Sequence, residues 1–171
     1  EQHPRVAVAF SGGVDSAYLL YAAKRYAQQV CAYYVQSAFQ PDFELRDARR
    51  LAQQLEVPMR ILPLQILDVA HVRENPADRC YYCKTAIFSH IRTAAQQDGF
   101  TVLLDGTNAS DEVDDRPGMR ALGELSVLSP LRECGFGKEQ IRALSKEAGL
   151  FTWDKPAYAC PVSYTHLRAH E

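Results

Sequence analysis

No run of apolar residues in this chain of 171 approaches the length of a membrane span, and no basic, apolar leader opens it. A cytoplasmic protein with no membrane partner is expected. Charge of one sign is equally scarce. Lys+Arg 19 against Asp+Glu 21 leave a net charge of -2, which argues against a general nucleic-acid binder while leaving a local basic face open. Internal repeats and low-complexity stretches are missing as well. A paired set of cysteines is missing too. Cys31, Cys80, Cys83, Cys134 and Cys160 are an odd number without an export signal, so metal binding or thiol chemistry is a better expectation than a disulfide framework. With 47% hydrophobic residues the chain can bury a core, and one α/β domain is the natural reading.

The periodicities alternate. Arg5 to Phe10 reads as a buried strand and Val14 to Gln28 as its helix, with Leu19, Leu20, Ala23 and Tyr26 at helical spacing. Val30 to Val35 is a β-branched and aromatic second strand; Pro41 and Asp42 open a helix through Leu55, and Val57 to Leu64 is a third strand. The break at 75–79 precedes a helix from Cys80 to Gln97, a fourth strand from Thr101 to Leu104 and a fifth from Val127 to Leu131. An amphipathic helix from Gly137 to Ala148 is stopped by Gly149. Strands alternating with helices pair in parallel through right-handed crossovers, which gives a doubly wound parallel sheet with helices on both faces. Ligands of such sheets bind beyond the carboxyl ends of the strands.

At that edge of the first strand lies Ser11-Gly12-Gly13-Val14-Asp15-Ser16. A strand that breaks on two glycines and at once opens a helix gathers backbone N–H groups and a helix N-terminus at one point, which is an anion site. Ser11 and Ser16 add hydroxyls, and Asp15 adds a carboxylate that can place a metal ion or cap the helix. An ordinary strand-to-helix turn is the bland alternative. The hexapeptide follows neither the Walker pattern, since no Gly-Lys-Ser/Thr follows, nor G-x-G-x-x-G. As S-G-G-x-D-S it resembles the PP-loop ATP pyrophosphatases, which use ATP to adenylylate an oxygen and let a nucleophile displace AMP.

The second feature is Arg79-Cys80-Tyr81-Tyr82-Cys83-Lys84, a Cys-x2-Cys at a helix start. Two thiols at that spacing can share a metal or cluster or form a redox dithiol, and Arg79 and Lys84 favour the thiolates. Cys160, after the last helix, is the candidate third thiol.

RCYYCK, DGTNASD, RPGMRA, SPL and WDKPAYAC follow the hexapeptide in the order found in the LarE family, and the chain resembles that family over nearly all of Val6 to Cys160. The resemblance implies an ATP-dependent sulfur transferase that adenylylates a carboxylate of pyridinium-3,5-biscarboxylic acid mononucleotide and replaces AMP by sulfur, in nickel-pincer cofactor biosynthesis for lactate racemase. Having Cys80, Cys83 and Cys160 together, the chain resembles the branch holding a [4Fe-4S] cluster; Cys160 also matches the cysteine whose sulfur another branch sacrifices. Catalytic roles are implied for Cys160 and Asp15. Ser11, Gly12, Gly13, Val14, Asp15, Ser16, Gln36, Gly106 and Thr107 are implied for ATP, with Ser37 beside Gln36, and Asp15 for Mg²⁺. Asp105, Asn108, Arg116 and Arg120 are implied for substrate. Its partners would be a small-molecule nucleotide substrate, a sulfide donor and further copies of itself as a homo-oligomer.

Two other readings stay open. A PP-loop tRNA thiolase also combines this hexapeptide with cysteines, and a non-catalytic nucleotide-binding module would use its cysteines for structural zinc. The ends carry an expectation as well. The domain is taken as residues 1–161 of a longer protein, with 162–171 (VSYTHLRAHE) as a non-native tail, so that His166 and His170 are not ligands and sulfur transfer by the fragment alone is weak.

Overall fold

A computed structural model of the chain describes residues 4–36, 41–64, 79–110 and 116–156. Within them β1 (Arg5–Ala9), β2 (Gln29–Gln36), β3 (Met59–Pro63) and β4 (Val102–Leu104) form one parallel sheet in the order β3-β2-β1-β4. Six helices accompany it: α1 (Val14–Tyr26), α2 (Asp42–Gln54), α3 (Arg79–Gln97), α4 (Arg116–Glu124), α5 (Pro130–Glu133) and α6 (Lys138–Glu147). A 3-10 turn follows at Phe151–Asp154.

β1 and β2 are near-continuous apolar runs because both sheet faces are covered. Successive side chains alternate between two cores. Val6 and Val8 of β1 join Val30, Ala32 and Tyr34 of β2 against Leu20 of α1, Leu51 of α2 and Ile141 of α6. On the other face Ala7, Cys31, Tyr33 and Val35 meet Ile91 and Ala95 of α3 and Leu122 of α4. Each fully buried leucine, such as Leu20 or Leu51, contributes about 1.5–3 kcal/mol. The sheet is therefore doubly wound, as the alternation of patterns predicts.

Registry puts β1 at the centre: Val6 faces Val30 on one side and Val102 on the other. The chain leaves β1 toward β2 and β3, then returns across the sheet to β4. The strand order switches direction between β1 and β4, and the crevice beyond their carboxyl ends is where such folds take ligands.

Two elements differ from the sequence expectation. α1 stops at Tyr26, because Ala27 turns extended and the N–H groups of Gln28 and Gln29 both reach the carbonyl of Pro4 to start β2. The stretch Val127 to Leu131 is not a fifth strand. Leu128 makes one parallel bridge to Leu104, and Pro130, which lacks an N–H for a ladder, opens α5 instead.

Candidate functional site

The loop between β1 and α1 is built on Gly12, whose φ of 79° lies in the left-handed region. A Cβ there would also stand 3.3 Å from the Ala48 Cβ and from the carbonyl oxygen of Glu44, so α2 backs the loop directly. Gly13 is the N-cap of α1 and makes no side-chain cap, which leaves the helix N-terminus without a capping oxygen of its own. Ser11 and Ser16 close the turn: their hydroxyls are 3.0 Å apart, and the Ser11 N–H reaches Ser16 Oγ at 3.2 Å.

β4 delivers the facing wall. Gly106 packs so tightly on α1 that a Cβ would lie 2.8 Å from the Ser16 nitrogen and 3.0 Å from its Cα. The buried Asp105 accepts from the hydroxyls of Ser129 and of Thr107, the latter at 2.6 Å, so its two oxygens hold the loop 105–108 in place. Asn108, 1% exposed, accepts the Ser110 N–H at 2.7 Å and donates its amide to Asp15 Oδ2 at 3.0 Å.

Asp15 is the meeting point. Its Oδ2 also takes the ammonium of Lys138, at the start of α6, at 2.9 Å. Its Oδ1 is buried and, among the described residues, has no hydrogen-bond partner. A buried carboxylate oxygen without a donor carries a desolvation penalty of about 1–3 kcal/mol or more, and a divalent cation is a ligand that removes it. Lys155, just past the 3-10 turn, donates to the Gly12 carbonyl at 3.1 Å and pairs with Asp47 of α2 at 3.1 Å. Burial pushes the nearby Glu44 carboxyl up; Lys155 opposes that shift and Asp47 adds to it.

The structure thus brings Ser11, Gly12, Gly13, Asp15, Ser16, Gly106, Thr107, Asp105 and Asn108 together, while the side chain of Val14 is buried in the core. Gln36 ends β2 on the same edge of the sheet, exposed, its carbonyl accepting the Leu64 N–H. Arg120 lies on the exposed side of α4 and pairs with Glu124 at 3.7 Å. Of Cys80 and Cys83 in the first two turns of α3, and of Arg116 at the start of α4, the backbone alone is described. Ser37 and Cys160 lie outside the described residues, as do His166 and His170. Cys31 is buried on β2, where desolvation raises its thiol, and Cys134 is exposed. Among the described residues no cluster of three or more metal-ligating side chains occurs, and no helix is long and apolar enough to cross a membrane.

Lys138 and Lys155 join the site without a local motif to mark them. Their sequence signals are slight: a lysine just after the helix-opening Gly137, and one inside WDKPAYAC.

The profile of the asparagine synthase family matches residues 1–115, a stretch that includes the loop, α1, the sheet and the Asp105 turn. The chain belongs to the asparagine synthase family. A curated relative, pyridinium-3,5-bisthiocarboxylic acid mononucleotide synthase of Lactiplantibacillus plantarum, is 37% identical over 93% of the chain and 58% of its own length. This agrees with the LarE resemblance carried by the motifs. The chain spans less than three-fifths of that relative. Two solved structures share the fold: NMN synthetase from Francisella tularensis, with a TM-score of 0.72 at 17% identity over 94% of this chain and 68% of that one, and NH3-dependent NAD synthetase from Campylobacter jejuni, with a TM-score of 0.72 at 19% identity over 99% and 76%. At those identities they speak for the doubly wound PP-loop architecture alone.

Proposed function

We propose that this chain is the ATP-using part of a sulfur transferase that activates a carboxylate of pyridinium-3,5-biscarboxylic acid mononucleotide and replaces the activating AMP by sulfur, in nickel-pincer cofactor biosynthesis. The observation that carries the reading is the crevice itself: an uncapped helix N-terminus and a left-handed glycine beside an aspartate with one buried oxygen that has no partner among the described residues. The 37% identical synthase supports the substrate class.

In this reading the backbone N–H groups of the loop and the α1 N-terminus hold the phosphates of ATP, while Ser11 and Ser16 donate hydroxyl hydrogen bonds. Asp15 Oδ1 is the oxygen that fits Mg²⁺, which when bound neutralises charge on the leaving pyrophosphate. Gln36, Gly106 and Thr107 line the nucleotide, and Asn108 keeps Asp15 oriented. A substrate carboxylate oxygen bonds to the α-phosphorus as the bond to the pyrophosphate oxygen breaks. Sulfur then bonds to the carboxyl carbon and AMP leaves with the oxygen that carried it. Asp105, Asn108, Arg116 and Arg120 serve the substrate, the two arginines through its phosphate.

Cys80 and Cys83 stand at positions i and i+3 in the first two turns of α3, a spacing that lets two thiolates share one cluster at a helix N-terminus. With Cys160 they would hold a [4Fe-4S] cluster by three thiolates, and its fourth position would supply the sulfur. The reading also takes the protein as a cytoplasmic homo-oligomer served by a sulfide donor.

The test is anaerobic incubation of the protein with ATP, Mg²⁺, the pyridinium dicarboxylate mononucleotide and sulfide. AMP and pyrophosphate should form only when the dicarboxylate is present, and the product should carry sulfur by mass spectrometry. ATP consumption that ignores the dicarboxylate would refute the assignment. Stoichiometric zinc without iron in the anaerobically purified protein would refute the cluster.

A further inference from the structure

Lys155 links two parts of the chain 143 positions apart, and nothing in the adenylylation chemistry above requires it. Its side chain is 11% exposed, so the ammonium has little water, and its two described partners are the Gly12 carbonyl and the Asp47 carboxylate. A trans peptide sets its C=O and the following N–H in opposite directions. Holding the Gly12 carbonyl on Lys155 therefore aims the Gly13 N–H to the opposite side, where its described partner is Ser11 Oγ at a long 3.4 Å. Gly12 is fixed from behind as well, by the first turns of α2 at Glu44 and Ala48. Asp47 keeps the lysine in place from that same helix.

We propose that Lys155 is a positioning residue for the nucleotide loop: by anchoring the Gly12 carbonyl it presents the Gly13 N–H to the phosphates before the nucleotide arrives. The lysine touches the loop from the carbonyl side, so it acts through the peptide and not on the phosphate. Such preorganisation of a donor removes a reorientation from the binding step. The inference rests on the loop being an ATP site.

Calorimetric titration of ATP and of adenosine, against the chain and three variants checked for folding by circular dichroism, tests it. Lys155→Met should weaken ATP binding about tenfold or more and leave adenosine within about twofold, since one charge-assisted hydrogen bond sets the phosphate donor alone. Lys155→Arg keeps a donor and should restore most of the affinity. Asp47→Asn removes one of the two anchors of the ammonium and should weaken ATP by about threefold. Equal losses for ATP and adenosine would overturn the inference, because they would report a general collapse of the site. Tighter ATP binding by Asp47→Asn would overturn it too, since it would mean that the released lysine moves to the phosphates. Unchanged ATP binding by Lys155→Met overturns this inference alone, whereas a parent chain that binds no ATP sinks the nucleotide reading together with it.

Discussion

Asn108 donates its side-chain amide to Asp15 Oδ2 at 3.0 Å, joining residues 93 positions apart. The carboxylate is thereby held by a neutral donor and by the Lys138 ammonium on one oxygen, and its other oxygen has no partner among the described residues. Asp15→Asn should keep the turn closed but abolish the dependence of ATP binding on Mg²⁺. Isothermal titration with and without the metal reads this directly, and a variant whose affinity still rises with Mg²⁺ contradicts the assignment of Asp15.

Asn108 itself is buried, and its carbonyl oxygen serves the Ser110 N–H. Asn108→Ala leaves that N–H and Asp15 short of partners and should destabilise the fold by about 1–3 kcal/mol in urea unfolding. Asn108→Asp, which puts a second carboxylate beside Asp15, should cost more.

Gly106 and Gly123 form a matched pair of tests. A methyl at Gly106 collides with the backbone of Ser16, and Gly106→Ala should destabilise by about 1–3 kcal/mol and weaken ATP binding, because the α1 N-terminus must move. A Cβ at Gly123, inside α4, meets nothing within 4 Å, and Gly123→Ala should stabilise by about 0.5–1 kcal/mol. Thermal unfolding of the two variants, with opposite shifts in Tm, checks both.

The pH dependence of stability has a source away from the crevice. Tyr33 donates to Asp98 Oδ2 at 2.6 Å and Arg60 pairs with the same oxygen at 2.6 Å, and these hydrogen bonds hold the Asp98 carboxyl below its ordinary value. A carboxyl depressed in the folded state contributes stability above its unfolded pKa, about 3.9, and loses it as pH falls through the lower folded value. The parent chain should therefore lose Tm below about pH 4. Asp98→Asn should show a lower Tm at pH 7 and a flatter profile in acid, and parallel profiles for the two proteins would contradict the linkage.

Much of this was legible along the chain because it is local. The strand-glycine-helix junction at Phe10 to Ser16 carries its own turn chemistry, and the alternation of Val6, Ala7 and Val8 between faces follows from a period of two. The apparent fifth strand misled because Val127 and Leu128 have strand character while Pro130 decides the outcome two residues later. Lys138 and Lys155 were illegible for a different reason. Their partners Asp15 and Gly12 lie 123 and 143 positions away, and no local pattern marks a lysine whose role is set by a contact that distant.

The pairing of β1 with β4 has a consequence for how the protein is made. Val6 and Val102 sit side by side, yet most of the chain's first hundred residues separate them. Closing so long a loop is slow compared with forming α1 or docking β2 on β1. A nascent chain that has emerged only through β3 already contains the complete glycine loop but has no Gly106, Asn108 or Lys138 to shape it. The glycine loop therefore meets its facing wall only once β4 has added to the edge of β1 and brought Gly106 and Asn108 alongside, with Lys138 following from α6.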